Sequence, residues 1–426
     1  MAVKTNRTGA GRVLAPAIFA ATLLASAGTA HATDGYFLNG IGAKAKGAGG
    51  VAIALPQDAL SINANPAAAA EVGHRLDIGV EVFVPNRGAS ISGNGAGLNG
   101  NYSGNEANPF VLPEVAYVRP LSDTIAVGLS INGHGGMNTA YKPNPFASFG
   151  ATGNAGVDLK QIFITPTIAA KIAPGHSVGV SPVLVFQLFH NHGIQPFAFA
   201  SADPANFSNR GTDKSSGFGF RVGYLGKISD RVRIGAFYQS KMWTGRFKKY
   251  GGLFAEGGGF DVPPSWGAGI SVDVTDRLTL GGDVKRIEYS EVQSVGNPIQ
   301  PLFLGVPFGA DGGPGFGWRD ITVFKLAAIY KASERWTLRA GYGRSENPVP
   351  ASQTFLNILA PGVVTDHFTA GATYRLSDGV EITGYVMHAP TNRVAGQGSI
   401  PQNFGGGEAD IRLAETAAGL SVGLEF

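Results

Sequence analysis

Two basic side chains stand where they could do chemistry. Lys325 and Arg339 fall on the polar faces of two consecutive apolar-polar alternating segments. In a partly dry interior either could pair with a ligand carboxylate, because a charge-assisted hydrogen bond strengthens as water is excluded. The same two cations could equally complete a structural ladder with Glu81, Glu114 or Asp283. A second cluster is apolar: Phe197, Phe199, Phe207, Phe247, Leu253, Phe254 and Phe260 lie in two long inter-strand stretches. Exposed together they would collect apolar ligands; otherwise they pack those loops against one another.

Other chemistry-bearing types read as background. His190 and His192 have no third ligand nearby in sequence, so no metal centre is expected. Gly93-Asn94-Gly95-Ala96-Gly97 lacks the helix and lysine of a phosphate loop. No nucleophile elbow and no Ser/His pair stand out, so no catalytic residue and no cofactor are expected.

The elements that would position these residues are strands. From Arg75 to Val84 the chain reads RLDIGVEVFV, with Leu76, Ile78, Val80, Val82 and Val84 on one face. Such strict alternation marks a strand with one apolar and one polar side. Ala418 to Phe426 repeats the pattern. Twelve more candidates lie near 111–119, 124–132, 159–172, 177–189, 216–227, 232–242, 264–273, 278–288, 319–330, 336–344, 366–375 and 380–388. Fourteen strands result, an even number. Their connections alternate between short polar turns, such as Ser229-Asp230-Arg231, and long Gly-rich loops. That alternation predicts an all-β transmembrane barrel of about fourteen antiparallel strands.

The polar faces agree. Arg221, Arg233, Lys241, Asp283, Lys325 and Arg339 would cost roughly 2–4 kcal/mol at lipid mid-depth for an Arg or Lys, so they are expected in the lumen. Tyr117, Tyr224, Trp243, Trp266, Trp318, Trp336 and Tyr374 recur at strand ends and are expected in the interfacial girdles.

Residues 1–32 read as a signal peptide. Lys4, Arg7 and Arg12 precede an apolar run from Val13 to Leu24, and Ala30-His31-Ala32 supplies a small-residue cleavage site. Without that segment the chain carries 30 basic and 30 acidic residues, which gives no electrostatic footprint for nucleic acid. There is no cysteine, and the remaining chain has no apolar run near the length of a helical span.

Residues 33–74 do not alternate and are rich in Gly and Ala. They are either a disordered leader or a compact plug inside the lumen. Here a resemblance enters. Gly40-Ile41-Gly42-Ala43-Lys44-Ala45-Lys46-Gly47-Ala48-Gly49, then Asp58-Ala59 and Asn63-Ala64-Asn65-Pro66-Ala67, resemble the N-terminal hatch of the FadL family of outer-membrane channels. Ile234 to Lys241, Leu338 to Tyr342 and Pro348-Val349-Pro350 match further along, so the likeness covers essentially the whole mature chain.

The resemblance implies a hatch over 33–74 and a barrel over 75–426. It places a turn at Asn65, Pro66 and Ala67, and an N-terminus (Thr33 to Phe37, including Tyr36) reaching into the ligand pocket. It also implies a kink in the third strand at Gly133, Gly135 and Gly136 that opens a lateral exit. The expected function is passive uptake of a hydrophobic molecule, most readily a long-chain fatty acid, with alkanes or monoaromatic hydrocarbons as the alternative. Lys325, Arg339, Phe197, Phe199, Phe247 and Phe254 are the candidate substrate contacts. Expected partners are outer-membrane lipid, lipopolysaccharide and the barrel-assembly machinery, around a monomer. The rivals are a general polar porin and an outer-membrane barrel enzyme.

Overall fold

Alternating sequences build long strands here because each strand has lipid on one side and a filled interior on the other. A computed structural model describes residues 34–426, so the signal-peptide segment and Thr33 lie outside the described residues. The barrel strands are β1 (Arg75–Ser92), β2 (Phe110–Pro120), β3 (Ile125–Tyr141), β4 (Ala155–Ala173), β5 (His176–His192), β6 (Asp213–Ser229) and β7 (Val232–Gln239). They continue as β8 (Ser265–Asp273), β9 (Leu278–Ile287), β10 (Ile321–Lys331), β11 (Trp336–Ser345), β12 (Asp366–Ser377), β13 (Val380–Val394) and β14 (Glu408–Glu425). Each pairs antiparallel with its sequence neighbours, and β14 returns to β1 from Arg75↔Glu425 to Ser92↔Glu408. The ring of fourteen is closed. Two short strands, Gly100–Ser103 and Trp243–Thr244, belong to the long loops.

The outward faces carry the apolar alternation. On β1, Ile78, Val80, Val82 and Val84 are exposed while Asp77, Glu81 and Phe83 are buried. Tyr117, Trp243, Trp266 and Trp336 are likewise exposed. Trp318 is not. It was expected in a girdle, but it is buried among Tyr36, Tyr289 and Phe316, and its indole N–H donates to Asn357 Oδ1 at 2.6 Å. Burial near an aromatic cluster and a free side-chain acceptor outweighed the interfacial preference of the ring.

Several strands run beyond their apolar alternation. β1 continues to Ser92 and β14 begins at Glu408, so part of each expected long loop is ladder. Those extensions are rich in polar and small residues, and the backbone pairing persists where the side-chain pattern no longer marks it. Lys241 was expected on a lumen face. It lies past the end of β7, with Nζ 3.8 Å from Glu291 of the loop between β9 and β10.

Candidate functional site

Residues 34–74 are almost wholly buried and carry only short helical turns: Ala43–Gly47, Ala59–Asn63 and Pro66–Ala70. Their backbone polar groups find partners on inward side chains all round the wall. Asp283 accepts from the N–H groups of Ala52 and Ile53 at 2.8 and 3.0 Å. Thr369 Oγ1 accepts from Gly49 N–H at 2.8 Å, and Asp77 accepts from Ala59 N–H at 2.8 Å. Lys46 bridges Glu81 at 2.7 Å and Glu114 at 3.2 Å. Burial opposes the charge of Lys46, but the two carboxylates outweigh it and hold its pKa above the ordinary value. Inward acids of β1, β2 and β9 thus replace water for this segment.

Asn65, Pro66 and Ala67 sit against β5 and β6. Asn65 Oδ1 accepts from Ala67 N–H at 3.1 Å, while its Nδ2 donates to the carbonyls of Ile53 at 2.8 Å and Tyr224 at 2.9 Å. Glycine makes the approach possible. A Cβ on Gly223 would lie 2.0 Å from Asn65 Oδ1, and one on Gly179 would lie 2.4 Å from the Pro66 carbonyl carbon.

β3 is interrupted at His134. Its register with β4 passes from Gly133↔Ile162 to Gly135↔Gln161, leaving His134 as the extra residue of a bulge. On the other side, β2 pairs with β3 only from Glu114↔Asn132 to Pro120↔Ala126. Contact resumes where Ala140 N–H donates to Gly104 O at 3.1 Å and Glu106 N–H donates to Ala140 O at 3.3 Å. Between these limits the edge of β3 faces the N-terminal segment instead of a strand. Leu38 N–H donates to His134 O at 3.3 Å, and Gly136 N–H donates to Tyr36 O at 3.1 Å. Gly133 and Gly136 flank the break, while Gly135 allows the approach itself: its Cβ would lie 2.3 Å from Tyr36 O.

Two cavities lie on either side of Tyr36 and Phe37. The outer one, among the long loops, is lined by Phe146, Phe197, Phe254, Phe308, Phe355 and Phe404 with other mostly apolar residues and no charged side chain. The inner one is lined by Phe37, Ile41, His134, Arg221, Asp283, Lys285 and Lys325 among others. Aromatic rings run from one to the other. Phe254 meets Phe260 at 4.8 Å, Phe260 meets Tyr36 at 6.2 Å, Tyr36 meets Phe37 at 5.2 Å, and Phe37 meets His134 at 5.1 Å.

The sequence candidates are therefore only partly brought together. Phe197 and Phe254 line the outer cavity; Phe247 is buried in the loop core beside Phe254, and Phe199 is 77% exposed and lines neither cavity. Lys325 faces the inner cavity and donates to Asn39 O at 2.5 Å. Arg339 does not: its guanidinium donates to Gln57 Oε1 at 2.8 Å and Thr373 Oγ1 at 2.6 Å. Lys325 aligns with Gly343, four residues from Arg339, roughly 13 Å along a strand, and the two cations hold separate partners.

Sequence reasoning missed Asp34 and Lys285. Asp34 Oδ2 lies 3.1 Å from Lys325 Nζ and 3.4 Å from Lys285 Nζ. Burial opposes ionisation of Asp34, yet the two ammonium groups overcome it and hold its pKa below the ordinary carboxylate value. The parity of Lys285 with Asp283 on β9 was the available signal. His190 and His192 stand 5.2 Å apart, and among the described residues no third side chain completes a metal set with them.

Comparison with known proteins places this architecture. No curated protein sequence matches the chain significantly. Among solved structures, a FadL homologue of Pseudomonas aeruginosa superposes with TM-score 0.70 at 18% identity, covering 92% of this chain and all of that one. The toluene transporter TodX of Pseudomonas putida gives 0.69 at 17% identity, over 91% of this chain and 99% of that one. The toluene transporter TbuX of Ralstonia pickettii gives 0.63 at 17%, with the same coverage. These share the fold. The model of the outer membrane protein transport protein family (OMPP1/FadL/TodX) matches residues 19–399, and the chain belongs to that family.

Proposed function

We propose that this channel takes up molecules with an apolar body and an anionic head, long-chain fatty acids being the class that fits. The order of three features carries the reading: an uncharged aromatic cavity at the loops, an inner cavity holding Arg221, Lys285 and Lys325, and an interrupted wall beside it. Each methylene entering the outer cavity gains roughly 0.8 kcal/mol by leaving water, so capture needs no polar contact. The head then finds cations inside, and the gap between β2 and β3 releases the chain sideways into lipid. Residues 33–74 act as a hatch that shuts the lumen to ions, with Asn65, Pro66 and Ala67 anchoring it and Thr33, Tyr36 and Phe37 at its gating end. The chain works as a monomer after removal of residues 1–32, in contact with lipopolysaccharide and inserted by the barrel-assembly machinery.

Uptake of labelled oleate by liposomes or cells containing the protein, beside a polar solute of similar mass, tests this. Oleate should enter and the polar solute should not. A large steady ionic conductance from the pure protein would favour an open porin. Lipid hydrolysis lost with one Ser or His would favour an enzyme. A second reading, uptake of monoaromatic hydrocarbons, is favoured by the phenylalanine-rich outer cavity and by the toluene transporters that share the fold. Toluene uptake in the same assay, unaffected by neutralising Lys285 and Lys325, would select it.

A further inference from the structure

Two cations that line the inner cavity, Lys285 and Lys325, already hold a carboxylate, and it belongs to the chain. Asp34 is fully buried, with Oδ2 shared between Lys325 and Lys285. Its other oxygen, Oδ1, is buried with no hydrogen-bond partner among the described residues. The carboxylate that lines the cavity is committed: Asp283 accepts two backbone N–H groups of the N-terminal segment. Arg221 is committed too, to Asn63 O and Gln239 Oε1. Lys285 has Asp34 as its ion-pair partner among the described residues, with the Phe37 ring 5.4 Å away.

Removing one member of a buried ion pair leaves an uncompensated charge, which is among the costlier things a protein interior can hold. Residues 34–38 therefore cannot leave the cavity unless another anion takes the place of Asp34. They are also the residues that occupy the free edge of β3, through Tyr36 O and Leu38 N–H.

Resting on the anionic-head reading above, we infer that Asp34 is a tethered carboxylate holding the head-group position, and that a substrate carboxylate exchanges with it on Lys285 and Lys325. The exchange frees residues 34–38 and uncovers the β3 edge, so an acid head unlocks its own exit. A neutral molecule filling the same cavity leaves the ion pairs closed.

The test uses the full chain in detergent with two probes, oleate and oleyl alcohol, which share a hydrocarbon tail. Trp318 reports on residues 34–38 because its ring meets Tyr36 at 5.9 Å. Replacing Trp243, Trp266 and Trp336 by Phe leaves it as the sole emitter. Oleate should shift its emission and oleyl alcohol should not. D34N should show the shifted emission before any ligand is added, and should bind oleate about tenfold more tightly with the alcohol unchanged. If the unaltered chain binds oleate but D34N gains no affinity, the exchange is wrong and the anionic-head reading stands. If oleate and the alcohol bind alike and K285Q/K325Q alters neither, the anionic-head reading itself falls. Heat-modifiable migration of each variant verifies the closed barrel.

Discussion

The carbonyl oxygen of Tyr36 accepts from the backbone N–H of Gly136 at 3.1 Å, so the start of the described chain stands in for a missing strand along β3. Wall and plug are therefore one hydrogen-bonded system at this point. Changes on either side should be felt on the other.

Gly135→Ala probes that coupling. The added methyl would meet Tyr36 O at 2.3 Å, so residues 36–38 must shift. Overpacking of this kind costs about 1–3 kcal/mol. The expected result is an intact, heat-resistant barrel with faster hydrogen exchange at residues 34–40 and altered oleate uptake. Unchanged exchange would show that β3 absorbs the strain alone.

Asn65→Ala should loosen the segment from below. It strands the carbonyls of Ile53 and Tyr224 and removes the cap on Ala67 N–H, at about 1–3 kcal/mol for buried groups left unpaired. Gly223→Ala should resemble it, because its new Cβ occupies the position of the same amide. Hydrogen exchange over residues 51–70 checks both variants, and strand exchange should not change.

Lys325 and Arg339 should now separate in their effects. Arg339→Gln breaks contacts with Gln57 and Thr373, away from the inner cavity, and should weaken oleate and oleyl alcohol binding to the same degree. Lys325→Gln should weaken oleate selectively, by about tenfold for one charge-assisted hydrogen bond. Selective loss of oleate in the Arg339 variant would return that residue to the head-group site.

Asp58 gives the segment a pH dependence. Burial first, and the neighbouring Asp77 carboxylate second, raise its pKa to about 6. An acid raised in the folded state favours folding fully below its unfolded pKa, near pH 3.9, and that contribution is lost as pH rises through about 6. Exchange over residues 43–63 should therefore quicken between about pH 4 and about pH 7, and Asp58→Asn should flatten the change. An equal slope in the variant would assign the effect to other groups.

The barrel was legible because lipid imposes a period of two that few other environments demand; Val80, Val82 and Val84 announce it unaided. Turn lengths then gave the strand order. The site was legible only in outline. Lys325 could be placed inward from parity, but its partner Asp34 lies 291 positions earlier in a segment with no period at all. Arg339 has the same parity and a different neighbourhood, since parity fixes a face and says nothing about height along the lumen. Trp318 misled for a related reason: proximity to a strand end does not say whether a ring turns towards lipid or towards Tyr36.

The break between β2 and β3 is bounded below by Glu114 and Asn132 and above by Gly104, Glu106 and Ala140. It is a window with both sill and lintel. Because the frame stays bonded at each end, clearing it never creates a strand terminus that could peel away or recruit a neighbouring chain. If residues 36–38 leave it as proposed, the wall opens there and still remains a single continuous hoop.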